Sequence, residues 1–160
     1  MGAVVPGPST ATVPLARLFL SATGILVDGL HEGLALRGWH DVRHSWGFVM
    51  GRLDAGLASV NDLAVFLGVS KQAASKTIEH MQANGLVRIS PHPADGRQKV
   101  VQMTGDGERF RSDVAEIYSE LESAWADSIG HAELELMRER LTTFLTDLNG
   151  GTLPPPAPLK

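Results

Sequence analysis

Lys71, Gln72, Ser75, Lys76 and Glu79 lie close together in the chain, and on a helix their spacing sets them along one outward strip. These side-chain types suit nucleic-acid recognition. Lysine ammonium groups neutralise phosphates at the edges of a groove, a glutamine amide can pair with an adenine edge, and small hydroxyls serve either role. A second group follows at Asp95, Gly96, Arg97 and Lys99. A guanidinium beside glycine on a flexible tip can enter a minor groove, where the potential is most negative. Asp95 shares the sign of phosphate, so it is expected to pair with a nearby arginine and hold the tip's shape.

Such groups act only when rigid elements present them. Ser59 reads as a helix N-cap, with Asp62 reaching back to it in a capping box. Leu63, Ala64, Phe66 and Leu67 give this first helix an apolar side, Gly68 stops it, and Val69 is expected to be a buried turn residue. Ser70 caps a second helix predicted to run to about Asn84 and end at Gly85. Its Ala74, Thr77, Ile78 and Met81 follow the i, i+3, i+4, i+7 rule and should pack inward. Ala73 stands where a capping box would place a glutamate, so the positive end of the helix dipole is free to meet a phosphate. Residues 86–90 and 99–103 alternate as two strands around a turn at 91–98 that holds Pro91, Pro93 and Gly96. Helix, tight turn, helix and basic-tipped hairpin in that order make a winged helix-turn-helix.

The residues Leu63-Ala64, Leu67-Gly68-Val69-Ser70-Lys71-Gln72-Ala73, Ser75, Gly85-Leu86-Val87 and Asp95-Gly96-Arg97 resemble the MarR (multiple antibiotic resistance regulator) transcription factors. The likeness continues through Val101, Met103-Thr104 and Gly107, where that family usually has Leu-Thr and a glycine three residues after the threonine. It spans roughly residues 15–148, and the wing leading into that threonine is its most specific part. The resemblance implies that Ser70, Gln72, Ala73, Ser75 and Lys76 line a DNA groove, that Arg97 reads the minor groove, and that Asp95 supports the wing. The charges of Lys71 and Lys99 add them to the DNA-facing set.

A net charge of −4 looks wrong for a DNA binder until the charges are located. Residues 70–99 hold five cationic side chains and two carboxylates, whereas residues 104–149 hold four arginines and eleven carboxylates. A basic reader beside an acidic body orients binding and predicts salt dependence. The chain has no cysteine, which excludes disulfides and a thiol switch. The apolar run 18–27 is bounded by Arg17 and Asp28, too short to span a bilayer, and has no basic region before residue 17 of the kind that opens a secretion signal. A cytoplasmic protein without membrane contact is expected.

Helices are predicted over 14–38, 41–53, 104–129 and 132–148, the glycines at 24, 29 and 33 serving close packing. The last helix gathers Leu134, Met137, Leu141, Phe144, Leu145 and Leu148 on one side, more apolar surface than a small reader covers. Pairing of two chains would bury it, and the family resemblance also implies a homodimer with intertwined terminal helices. Two readers then imply an inverted-repeat operator in double-stranded DNA. The expected fold is therefore mainly α with a small β-wing, a winged helix-turn-helix flanked by N- and C-terminal dimerisation helices. Its parts are a disordered segment 1–13, N-terminal helices 14–53, the DNA-binding region 54–104, C-terminal helices 105–149 and a disordered Pro-rich tail 150–160.

Trp39, His40, His44 and Trp46 cluster where the first two helices meet, with His31 nearby. In the family, aromatic acids and phenols often bind between the dimer-forming helices and the reader, and these five residues are the candidate crevice for such an effector. Val42-Arg43-His44-Ser45 departs there from the family's common Leu-Thr pattern. His40 and His44 would share a helix face if the helix begins early enough, which opens a metal-responsive alternative, although no third ligand is evident. No metal or cofactor is assigned. Nucleophile elbow, Walker loop, dinucleotide fingerprint and zinc-protease helix are all missing from the sequence, so no catalytic residue is assigned and an enzyme is not expected. The leading expectation is a ligand-responsive repressor; a winged helix used for protein contact is the alternative of a different class.

Overall fold

A computed structural model describes residues 13–154. Among the described residues, six helices and one hairpin follow in the order α1 (Leu15–Leu36), α2 (His44–Asp54), α3 (Val60–Leu67), α4 (Lys71–Ala83), β1 (Val87–Pro91), β2 (Lys99–Met103), α5 (Gly105–Ile129) and α6 (His131–Leu148). The segments expected to be disordered fall mostly outside the described residues; the part of the tail that is described closes α6 with a turn, Gly151 donating to the Thr146 carbonyl at 2.9 Å.

Local chemistry sets the ends of the central elements. Ser59 caps α3 in a complete capping box with Asp62, and the Ser59 amide and hydroxyl hold the Asp62 carboxyl below the usual carboxylate range. Gly68 leaves α3 at φ 66° and Gly85 leaves α4 at φ 73°, a left-handed geometry that costs glycine little. Thr104 caps α5 through the Gly107 amide, 3.0 Å from its hydroxyl. That hydroxyl also donates to the Gly85 carbonyl, tying the end of α4 to the start of α5.

The two strands pair antiparallel with Val87 opposite Met103 and Pro91 opposite Lys99. A further bond from the Val101 amide to the Ala58 carbonyl, 2.8 Å, fastens the wing to the segment that leads into α3. Trp46, Val49, Met50 and Leu53 of α2 form one core with Leu63, Ile78, Met81, Leu86, Val101, Phe110 and Ile117. Each such aliphatic or aromatic side chain contributes about 1.5–3 kcal/mol by leaving water. Gly29 and Gly33 of α1 face Leu121 and Ile117 of α5 so closely that a Cβ would lie 2.8 and 2.9 Å from them. Close helix packing is therefore the use of these two glycines; Gly24 has no such neighbour.

Three local expectations need correction. The second helix begins at His44 rather than Asp41, because Trp39 is drawn to α5 and the chain turns through Asp41 at φ 56°. Val69 is not buried but 44% exposed, since the interhelical turn points it away from the core. Thr77 is only half-buried, its hydroxyl donating to the Ala73 carbonyl at 3.2 Å.

Long apolar faces remain open. Leu15, Leu20 and Ile25 of α1, and Phe144 and Leu148 of α6, are each more than half exposed. No helix among the described residues is long and apolar enough to cross a membrane.

Candidate nucleic-acid interface

The reader is built from α3 and α4, packed on one another, with the wing following α4 directly. Ser70 accepts the Ala73 amide at 3.2 Å, and no acid occupies the first turn of α4. The partial positive charge at this helix start is thus uncompensated within the element. Ala74, Ile78 and Met81 are buried and anchor the helix. Its opposite side presents Lys71, Gln72, Ser75, Lys76 and Glu79 together along one open, shallow surface. Ala73 is exposed but lies around the helix from them, beside Val69 and Thr77 over a groove that reaches α2. Of the expected groove residues the structure therefore joins Lys71, Gln72, Ser75 and Lys76, and sets Ala73 apart.

At the wing tip, the His92 amide bonds to the Gln98 carbonyl at 2.8 Å and the Gln98 amide to the Asp95 carbonyl at 3.0 Å. Asp95 Oδ1 accepts the Arg97 backbone amide at 3.1 Å. The expected pairing of Asp95 with an arginine side chain is absent among the described residues; the carboxylate shapes the tip by folding onto the backbone instead. Arg97 and Lys99 are exposed, Lys99 at the base of the tip opposite Pro91.

The distribution of ion pairs sharpens the contrast between reader and body. Every ion pair among the described residues uses Arg37, Arg109, Arg111 or Arg138. None uses Lys71, Lys76, Arg97 or Lys99, so these cations need break no such pair to meet a phosphate. These four arginines are held against carboxylates outside α4 and the wing; Arg37, for example, reaches Glu120 at 2.7 Å.

The five residues of the expected crevice are separated. His31 and His44 line a cavity of about 280 Å³ between α1, α2 and α5. Trp39 packs edge-on to Phe110, donates from its indole to Asp113 at 2.6 Å and lies under the Arg109 guanidinium. Trp46 is buried on the far side of α2, its ring 5.4 Å from that of His80 on α4. His40 is exposed ahead of α2, so it shares no helix turn with His44. No group of three or more metal-ligating side chains occurs among the described residues.

Most of the cavity wall lies outside the expected crevice, Arg43, Phe48, Phe110, Val114 and Tyr118 among it. A signal was present, since Phe110, Val114 and Tyr118 recur every four residues on one face of α5 and Tyr118 is the only tyrosine in the chain. Partial burial raises the Tyr118 hydroxyl above the ordinary tyrosine range.

Comparison with known proteins places this architecture. Residues 44–98 match the model of the MarR family. No curated protein sequence matches the chain. Among solved structures, RV1404 from Mycobacterium tuberculosis is similar over 89% of this chain and 96% of its own, with TM-score 0.69 and 20% identity. The transcriptional regulator Tm0710 from Thermotoga maritima covers 87% and 98%, with TM-score 0.66 and 18% identity. A mutant of S. aureus MepR bound to an oligodeoxyribonucleotide covers 85% and 99%, with TM-score 0.60 and 21% identity. Residues 44–98 thus carry the pattern of the MarR family model, and the chain as a whole has the winged-helix fold of these solved structures.

Proposed function

We propose that this protein is a homodimeric, sequence-reading regulator of transcription that acts as a repressor on an inverted-repeat operator and is released by a small aromatic effector. The observation that carries the reading is the outward surface of α4, where Lys71, Gln72, Ser75 and Lys76 stand together with no ion pair to the body. The similar MepR mutant holds an oligodeoxyribonucleotide, which supports DNA as the partner here. The open apolar faces of α1 and α6 support a second copy of the chain as the other partner. In this reading Ser70, Lys71 and Lys76 meet phosphates, Gln72 and Ser75 meet base edges, Arg97 enters the minor groove, Lys99 holds the wing to the backbone and Asp95 shapes the tip. Ala73 contributes its small size, which lets the helix approach.

Lysine-to-phosphate contacts carry no sequence information and release counterions on binding. Lys76→Ala should therefore weaken binding to every duplex alike and lower the slope of log affinity against log salt by about one unit per half-site. Fluorescence anisotropy on a fixed set of duplexes across a salt series measures both. Unchanged affinity and slope would favour a winged helix that contacts protein instead.

The cavity supports the effector part of the proposal. It is mostly apolar, and Arg43, His31, His44 and the Tyr118 hydroxyl give it donors suited to a carboxylate or phenol. Helix α2 links it to the reader: His44, Gly47 and Phe48 form the cavity wall, whereas Trp46 packs on His80 of α4. A ligand that displaces α2 thus acts on the recognition helix through a packed aromatic pair. Gly47 offers a direct test, because it lines the cavity and a Cβ added there meets nothing within 4 Å. Gly47→Leu should leave operator binding within about twofold and abolish its response to benzoate or phenol, read in the same anisotropy assay.

A further inference from the structure

Glu79, an acid, shares the outward surface of α4 with Lys71, Gln72, Ser75 and Lys76. Gln72, Ser75, Lys76 and Glu79 stand at i, i+3, i+4 and i+7, the same spacing by which a homeodomain's recognition helix presents its groove residues. A carboxylate in that company is costly against a polyanion. Nothing within the fold accounts for it: Lys76, one turn earlier, is within pairing reach on a helix but no ion pair forms, and Glu79 pairs with no other cation among the described residues. It also lies too far along the helix to gain from the positive end of the dipole.

The chemistry of the major groove supplies a use. Guanine presents two acceptors and thymine one, all of which repel a carboxylate, and adenine sets an acceptor beside its amino group. Cytosine alone offers its N4 amino group without an adjoining acceptor on the same base. We propose that Glu79 is a specificity-determining residue that accepts a hydrogen bond from cytosine N4 at one position of each half-site and rejects the other bases there. This rests on the DNA-reading function proposed above.

The test is selection of bound sequences from random duplex DNA by the full chain, run in parallel for wild type, Glu79→Gln and Glu79→Ala. Wild type should enrich a cytosine at one position of each half-site, and Glu79→Ala should lose that preference while recovering the rest of the motif. Duplexes with another base there should bind Glu79→Ala about tenfold tighter than they bind wild type. Glu79→Gln, which adds a donor to the same shape, should shift the preference toward adenine. If wild type and Glu79→Ala recover one motif with the same preference at every position, the inference is overturned and the DNA reading stands. Uniform tightening on all sequences with no lost preference also overturns it, leaving only general repulsion. If wild type selects nothing while retaining its fold, both fall together.

Discussion

Arg97→Ala should weaken binding to the operator by about 10- to 100-fold per half-site, corresponding to roughly 1–3 kcal/mol per arginine-to-groove contact. The wing tip is held by backbone bonds among His92, Asp95 and Gln98 and by the Asp95 carboxylate on the Arg97 amide. Removing the Arg97 side chain leaves all of these intact. The loss therefore reports the guanidinium and not the shape of the tip. Because that side chain would sit in a groove whose width depends on sequence, the loss should be larger on duplexes with A·T-rich flanks, whose minor groove is narrow and strongly negative. Arg111→Ala supplies the control. Arg111 is bound to Asp54 and Glu108 in the acidic body, and its replacement should leave affinity unchanged within about twofold. Anisotropy titrations of both variants at one salt concentration measure the contrast; equal losses would show that general charge, and not placement on the wing, governs binding.

Gly107→Ala should destabilise the fold by about 2 kcal/mol, although alanine is ordinarily the better helix former by about 1 kcal/mol. Gly107 lies in the first turn of α5, and a Cβ there would overlap the Leu86 carbonyl oxygen and approach the Met103 Cβ to 3.4 Å. The obstacle is backbone, and it cannot move freely. The Leu86 carbonyl accepts the Thr104 amide at 3.1 Å, and Gly85 beside it already occupies a left-handed conformation. Relief of the overlap must therefore separate α5 from the entrance to the wing. The midpoint of thermal unfolding should fall by roughly 4–8 °C at fixed protein concentration. Gly105→Ala, two residues earlier and with nothing within 4 Å of its Cβ, should be neutral or stabilising. If Gly107→Ala matched Gly105→Ala, the close approach would carry no energetic weight.

The parts of the structure legible in the sequence are those governed by neighbours along the chain. Ser59, Ser70 and Thr104 mark helix starts because a short hydroxyl side chain satisfies an amide three residues on, and each does so here. The return strand at 99–103 and the buried face of Ala74, Ile78 and Met81 follow from period alone. The junction before α2 was not legible, because its cause is remote. Trp39 bonds to Asp113, 74 residues away, and that contact delays the helix to His44. With the helix starting there, His44 and Phe48 face the cavity while Trp46, two residues from each, points to the core. Residues i and i+2 of a helix cannot share a face. Composition grouped these aromatic and imidazole rings into one crevice; helix phase divided them. Asp95 shows the same limit on a smaller scale. Its charge suggested an ion pair, but a hairpin tip brings its own amides nearer than any guanidinium.

On the proposed function, α4 and the wing of two protomers read DNA sequence as a symmetric pair. Selection from random duplex DNA by the purified protein at near-physiological salt decides whether they do. Enrichment of one inverted repeat is expected, with half-sites about one helical turn apart, the separation set by two recognition helices in successive major grooves. Recovery of no motif, with no binding to any duplex even at low salt, would contradict this reading.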